Sequence, residues 1–404
     1  MSDRLRIAII GGGPAGLMAA DTLAPHAVVD LYEHGKHIGR KFLVAGQGGF
    51  NLTNKVEGEE LLRTYSPRGF LDDAINAFGP TQLRAWLAER GIETFVGTSG
   101  RVFPVKGIKP IDVLARIREY VIQRGVRIHV EHVFTGFDDA HMPILENHNG
   151  PITLHADRVI FALGGASWPV TGSTGIWPSL FNAIGIGTDP FESSNCGIAI
   201  AWPDQIAKAH AGKPLKNIRV SAGEQSALGE ATITAHGLEG NAIYPIIPAL
   251  REALHTEQEA IAHIDLKPGV TAEELIRKIG DREPRNFAEA VHLGRPELAL
   301  LKAFTPKERS MSAKVFCEDI KDLRLPVTAL RPIGEAISTI GGIRCEDLSS
   351  DFSLKQYPHL FTIGEMVDWD APTGGFLLQG CFAMGRHAAL SMLRDRGAIA
   401  PHVA

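Results

Sequence analysis

The sequence predicts a doubly wound α/β fold interrupted by an insert, and three observations carry the prediction. The first is an apolar run of strand length, Arg6-Ile7-Ala8-Ile9-Ile10. It meets the turn Gly11-Gly12-Gly13-Pro14-Ala15-Gly16 and continues into Leu17, Ala20 and Leu23 at helical spacing. The second is a later apolar run, Arg158-Val159-Ile160-Phe161-Ala162-Leu163, which also ends in glycines, Gly164 and Gly165. The third is the return of this pattern near the end, where Leu360-Phe361-Thr362-Ile363 runs into Gly364 and Glu365. Between about 191 and 330 the composition differs, and that stretch reads as the insert.

The opening turn has the form G-x-G-x-x-G in its proper setting, after a strand and before a helix. Gly11 permits the tight turn, Gly13 lets the backbone approach a pyrophosphate, and Gly16 lets helix and strand pack closely. Pro14 and Ala15 open the helix, whose first N–H groups face outward to phosphates. A second strand, Val28 to Tyr32, ends at Glu33, at the distance where a carboxylate accepts the hydroxyls of a ribose. A dinucleotide bound to a Rossmann-like domain is the consequence.

Composition narrows the class. The chain has 404 residues, 44% hydrophobic and 22% charged, with a formal net charge of −5. That suits a globular protein of two or three domains and gives no global pull toward nucleic acid or anionic membrane. No apolar run approaches membrane-spanning length. Cys196, Cys317, Cys345 and Cys381 are scattered without a C-x-x-C pair, so neither a zinc site nor a dithiol redox pair is expected. A reducing cytoplasm fits these cysteines best.

Taken in order, the loop from His34 to Lys41 is polar and glycine-punctuated, and His34, Arg40 and Lys41 are its candidates for cofactor contact. The alternative for the two cations is plain solvation. Residues 45–54 carry Gly46, Gly48 and Gly49, with Asn51, Thr53 and Asn54 as hydrogen-bonding groups. Residues 58–95 read as helical, with Leu83, Trp86 and Leu87 facing a core. A helix from Ile111 to Arg124 and a strand from Val126 to Phe134 follow, with Val133 expected to pass along an adenine. A hairpin turns near Asn147–Gly150. Ala162, Leu163 and Gly164 end a parallel strand, where ligands of doubly wound folds lie. Trp168 either walls the cofactor pocket or covers the core.

In the insert, residues 191–248 show short strand-like pieces and residues 249–330 a helical pattern. Thr271-Ala-Glu-Glu274 and Thr305-Pro-Lys-Glu308 both read as capping boxes. Past Gly364 and Glu365, Asp368 and Thr373-Gly374-Gly375-Phe376-Leu377 precede a helix reaching about Leu393. A helix N-terminus at Gly375–Phe376 would stabilise negative charge.

Several segments together narrow the reading further: Gly39-Arg40-Lys41, Asn51-Leu52-Thr53-Asn54, Gly100-Arg101-Val102-Phe103-Pro104, Thr171-Gly172-Ser173-Thr174-Gly175, His236-Gly237-Leu238, Gly341-Gly342, and Gly364-Glu365 through Gly374-Gly375. As a set they resemble the bacterial BaiN/RdsA-type (HI0933-like) flavoproteins of the glutathione-reductase-like superfamily, over nearly the whole chain. The resemblance implies an FAD-binding domain from residues 1–190 and 331–404, with an inserted β-rich subdomain (191–248) and an inserted helical subdomain (249–330). It implies FAD held by the residues singled out above.

It also implies reduction of a carbon–carbon double bond. The alternatives are reduction of uridine in ribosomal RNA and a non-catalytic flavin-binding sensor. No second nucleotide fingerprint is present, so NAD(P)H is expected, if it serves, as a transient reductant at the flavin; another donor is the alternative. A small unsaturated substrate is favoured as partner over RNA, because Arg282, Arg285, Arg295, Lys302, Lys307, Arg309 and Lys314 are interleaved with acids. Where the family reads close to Ser-Gly-Gly-Gly-Arg-Cys-Asn, this chain has Ala45-Gly46-Gln47-Gly48-Gly49-Phe50-Asn51. Near His236 the family's Ser-Gly-Pro is Glu239-Gly240-Asn241. The substrate pocket is expected between insert and flavin, bounded by Gly46–Asn54, Trp168, His236 and Gly374–Phe376, and more apolar than in relatives. The resemblance makes His236 the candidate proton donor.

Overall fold

The computed structural model describes residues 4–44, 50–256 and 259–395. The chain divides into two compact units, Met1–Glu192 with Ile337–Ala404, and Ser193–Ala336.

The first unit is built on a five-stranded parallel sheet. Its strands are β1 (Arg6–Ile10), β2 (Val28–Tyr32), β3 (Arg127–His129), β4 (Arg158–Phe161) and β5 (Leu360–Thr362), in the order β5-β4-β1-β2-β3. Ile7, Ala8, Ile9 and Ile10 are all buried, as both-face burial of a parallel strand requires. Strand order reverses on either side of β1, which puts a switch point beside its carboxyl end.

Helices α1 (Pro14–Leu23), α2 (Asp72–Ala77), α3 (Pro80–Glu89), α4 (Pro110–Gln123) and α5 (Phe376–Asp395) belong to the same unit. Helix α1 starts with a proline behind Gly13, a proper first-turn position. Helix α5 crosses α1 so closely that a Cβ on Gly385 would stand 2.3 Å from the Ala15 carbonyl oxygen. Trp86 is a core residue: it is buried, and its indole N–H donates to Asp21 at 2.7 Å. Asp21 also pairs with Arg90 at 2.5 Å.

Two stretches differ from the sequence reading. Residues 58–95 form not one helical tract but helices Gly58–Leu62, α2 and α3, followed by strand Thr94–Val96. Pro67 and Pro80 lack the N–H that would carry a helix through. The strand expected from Val126 to Phe134 is broken at Glu131, whose φ is +57°. Beyond it, Val133–Phe137 joins a separate antiparallel sheet with Pro143–Asn147 and Gly150–Thr153.

The second unit holds a closed barrel of Ile198–Ile200, Gly237–Glu239, Gln225–Ile233, Pro214–Ala222, Ile261–Asp265 and Leu323–Leu330, each hydrogen-bonded to the next. Its last two strands come from the stretch read as helical, so residues 249–330 supply both helices and a third of the barrel wall. Both strands alternate buried with more exposed residues along most of their length, the strand period. Among the helices of that stretch, Ala272–Ile279 carries its capping box as read: Glu274 N donates to Thr271 Oγ1 at 3.3 Å, and Thr271 N to Glu274 Oε2 at 3.0 Å. Thr305 does not N-cap a helix. It ends helix Arg295–Phe304, and its hydroxyl donates back to the Leu301 carbonyl at 2.6 Å.

Candidate functional site

A cleft in the first unit opens at the carboxyl ends of β1, β4 and β5. Gly11 turns the chain out of β1 with φ +115°, and a Cβ there would lie 2.2 Å from the Ala162 carbonyl oxygen. Only glycine meets both demands. At Gly16 a Cβ would lie 2.1 Å from the Gly11 oxygen, so this glycine sits under the turn rather than in the cleft. Gly13 is different: a Cβ there would meet nothing within 4 Å. Open space therefore lies directly before the first turn of α1, whose N–H groups have no partner inside the helix.

Glu33 is buried at the end of β2. Its Oε2 accepts from Gly12 N at 3.0 Å; its Oε1 accepts from Gly35 N at 3.0 Å and meets His34 Nδ1 at 2.7 Å. Burial pushes the carboxyl up, but the hydrogen bonds from His34, Gly35 and Gly12 outweigh it and hold Glu33 below its ordinary value. The same hydrogen bond to Glu33 raises His34, against its partial burial. Packing of the loop from Thr171 to Ser173 fixes the imidazole, because a Cβ on Gly172 would lie 2.3 Å from His34 Nε2.

Two cations reach across the cleft. Arg40 Nη2 donates to the Val170 carbonyl at 2.8 Å. Lys41 Nζ donates to Glu365 Oε2 at 2.6 Å and to Ser167 Oγ at 2.7 Å. Glu365 Oε1 also accepts from Thr339 N at 3.1 Å. Cys381 lines the same cleft, and burial, aided by the Glu365 carboxylate, pushes its thiol up to about 12. It is a neutral thiol at physiological pH, so thiolate chemistry has no place at this position.

Of the residues singled out in the sequence, the cleft brings together Gly11, Gly13, Pro14, Ala15, Glu33, His34, Arg40, Lys41, Ala162, Leu163, Gly164, Gly364 and Glu365. Others have different places. Val133 is exposed and pairs with Glu146, while its neighbours His132 and Phe134 line the cleft instead. Thr53 and Asn54 bind the entrance to α5: Asn54 Nδ2 donates to the Gly374 carbonyl at 3.1 Å, and Thr53 Oγ1 to Gln379 Oε1 at 2.8 Å. Gly375, with φ +101°, presses so close to Thr53 that a Cβ would stand 2.4 Å from its carbonyl carbon. Phe376 and Leu377 form the first turn of α5, and the Phe376 carbonyl accepts from Tyr65 OH at 3.0 Å. Asp368 Oδ1 accepts from Gly341 N at 2.7 Å. Asn51 and Trp168 are half-buried and do not line the cleft. His236 belongs to the second unit. It is exposed in the turn between two barrel strands, and its N–H donates to Thr234 Oγ1 at 3.2 Å. Residues 46–49 of the glycine loop lie outside the described residues.

Gly12, His37, Phe42, Thr171, Gly172, Ser173 and Cys381 also line the cleft, and the sequence reading named none of them as a binding residue, although it quoted Gly12 within the turn and Thr171–Ser173 among the resembling segments. For Thr171 to Ser173 a signal was available, since that segment is among those that carry the family resemblance. Cys381 sits mid-helix and had none.

These residues fit a dinucleotide. The space before Gly13, the first turn of α1, and a buried ionised carboxylate at the end of β2 are the parts such a ligand engages. The HI0933-like protein Rossmann domain model matches residues 5–391. The chain belongs to the HI0933-like family. It is an FAD-dependent oxidoreductase of that family.

Among curated relatives, a 3-dehydro-bile acid delta(4,6)-reductase of Clostridium scindens is 24% identical, over 94% of this chain and 97% of its own. A ribosomal RNA dihydrouridine synthase of Haemophilus influenzae is 23% identical, over 96% of this chain and 98% of its own. Among solved structures, the 3-ketosteroid delta1-dehydrogenase of Sterolibacterium denitrificans superposes with a TM-score of 0.51 at 12% identity. The match covers 98% of this chain and 100% of that one, a likeness of fold.

Proposed function

We propose that this HI0933-like protein reduces a carbon–carbon double bond of an unsaturated small molecule, using FAD held in the first-unit cleft. The observation that carries the reading is the extent of the match to the bile-acid reductase, which runs through the insert as well as the nucleotide-binding parts. The neutral Cys381 thiol supports it by removing a cysteine-based route.

Bound FAD would supply the two-electron redox chemistry. The chain's own residues supply the rest. Gly11, Gly13, Pro14, Ala15 and the first turn of α1 would hold the pyrophosphate, with Gly16 keeping the turn close. Glu33, already ionised, would accept the ribose hydroxyls. Ala162–Gly164, Gly364 and the Lys41–Glu365 pair would line the remainder of the cofactor's path. The start of α5, fixed through Asn51–Asn54, Gly374 and Gly375, would offer N–H groups to negative charge. His236 is the candidate proton donor, and NAD(P)H the candidate reductant.

Reduction of uridine in ribosomal RNA is a second reading, favoured by the Haemophilus relative. The basic stretch of the second unit supports it weakly, because Arg309 is held by Asp319 at 2.7 Å and Arg282 by its own helix carbonyls.

The test is anaerobic turnover of the FAD-loaded protein with NAD(P)H and a panel of α,β-unsaturated ketones, including steroid enones. The reading expects a product two hydrogens heavier and NAD(P)H consumed in step with it. Consumption only in the presence of ribosomal RNA, with dihydrouridine formed, would move the assignment to the second reading. His236→Ala should slow substrate-linked turnover by roughly 10²-fold with FAD content unchanged.

A further inference from the structure

We propose that His132 holds the adenine of FAD against the face of its imidazole, with no hydrogen bond from either ring nitrogen, and that Asn147 positions that ring. This assignment rests on Glu33 taking the ribose hydroxyls, as read above.

His132 is half-buried and lines the cleft. Its backbone N–H donates to the Glu33 carbonyl at 3.0 Å, and Glu131 N donates to the Gly35 carbonyl at 3.1 Å. The segment is therefore tied alongside the residue that takes the ribose. A base stands one glycosidic bond from its ribose, so the adenine falls among the side chains next to Glu33. His34 is already engaged there, with Nδ1 on Glu33 Oε1 at 2.7 Å and Nε2 packed over Gly172. Phe134 is committed to the core, with ring centres at 5.1 Å from both Phe137 and Phe161.

Hydrogen bonds fix how His132 can act. Asn149 N donates to Asn147 Oδ1 at 2.8 Å, which settles the orientation of that amide. Asn147 Nδ2 then faces His132 Nε2 at 2.9 Å and donates to it, so Nε2 carries no proton. The other nitrogen, Nδ1, donates to the Val130 carbonyl at 2.7 Å. Both polar positions of the ring are used inside the protein, so it has no nitrogen left with which to read the edge of a base. Behind it, Tyr32 and His129 stack at 4.7 Å, and His132 meets them edge-on at 5.5 and 5.9 Å. What remains for a ligand is a flat aromatic face, and every base has a matching π-face.

The experiment uses the full chain after flavin removal, with equilibrium dialysis of FAD and FMN, calorimetry of ADP and GDP, and Tm as the check on folding. FMN has no adenine and is the internal control. His132→Ala should weaken FAD and ADP by about 5- to 10²-fold, the usual worth of one stacked base, and leave FMN unchanged. The ratio of ADP to GDP affinity should be the same in both proteins. His132→Phe keeps the face and loses both nitrogens, and it should restore FAD affinity to within about threefold of wild type. Asn147→Leu should weaken FAD in the presence of His132 and have no further effect in His132→Phe. FAD and FMN weakened alike would make His132 structural and overturn the proposal. So would unchanged FAD affinity in His132→Ala, or an ADP preference lost with the imidazole. Loss of FAD affinity in His132→Ala but not in Glu33→Gln would strike the ribose reading instead.

Discussion

The two units bury their cores in opposite ways, and only one of those ways concentrates binding groups. In the first unit the five strands run parallel, so their carboxyl ends fall on one side, with Gly11, Ala162–Gly164 and Gly364 gathered there. Helix α1 adds its unpaired N–H groups at the same place. In the second unit the barrel strands pair antiparallel and close on themselves, which leaves no open edge. Their ends alternate between two rims, and Ile198, Ile218, Val220, Ile264 and Leu325 fill the interior. Parallelism, more than the size of a core, makes a cofactor cleft.

The sharpest way to break this comparison is to overpack each unit at a matched position. At Gly385 a Cβ would stand 2.3 Å from Ala15 O, and at Gly237 1.8 Å from Ile198 O. Alanine at either site should cost about 1–3 kcal/mol by overpacking. Gly385→Ala pushes on α1 and should also lower FAD retention, whereas Gly237→Ala should destabilise the protein with FAD content unchanged. Thermal unfolding and flavin absorbance on the same samples check this. FAD loss in Gly237→Ala but not in Gly385→Ala would reverse the assignment of roles.

A smaller effect sharpens the first unit's part. Glu33→Gln keeps the side-chain shape and removes the charge, so FAD affinity should fall by roughly 10- to 10²-fold, measured by equilibrium dialysis. An unchanged affinity would remove Glu33 from ribose binding.

The Glu33–His34 pair also carries a pH signature. Glu33 lies below its ordinary 4.5, so its contribution is present above that value and is lost as pH falls through the folded one. His34 lies above its ordinary 6.5, so its contribution is present below 6.5 and is lost as pH rises through the folded value. The pair is therefore fully formed between about 4.5 and 6.5. His34→Asn should remove the alkaline limb of the Tm profile and move the acid limb to higher pH, because the His34 contact helps hold Glu33 below its ordinary value.

The smallest effect on FAD is at Cys381. With its thiol at about 12, iodoacetamide at pH 8 should label it roughly 10³-fold more slowly than a free thiol. Cys381→Ser should change FAD content little.

How much could be read from the sequence follows the same division. The β1–α1 turn is written in consecutive residues: Gly11 and Gly16 each answer a close contact, at the end of β4 and within the turn, and Gly13 leaves open space before α1. The barrel is written across distance. Ile261–Asp265 pairs with Leu323–Leu330 across a helical stretch long enough to dominate any local pattern. Thr305 carried the letters of a capping box, but Pro306 holds an extended ψ of 143° and the hydroxyl turned back to Leu301. In the cleft, residues at strand ends were legible. His132 enters from a loop whose course depends on the folded whole. The reach of Thr53 and Asn54 to α5 rather than to the cleft follows from the close pass of Gly375, which no spacing in the sequence encodes.

The most direct test of the central claim, that the cleft before α1 holds FAD, uses Gly13. A Cβ there would meet nothing within 4 Å apart from its chain neighbours, so Gly13→Val should leave the cofactor-free fold intact while occupying the space the pyrophosphate needs. The measurement is chromatography of the cofactor released from purified wild type and variant, with Tm recorded after flavin removal. The account predicts FAD from wild type, none from Gly13→Val, and equal cofactor-free Tm values. FMN from wild type, or FAD retained by Gly13→Val, would contradict it.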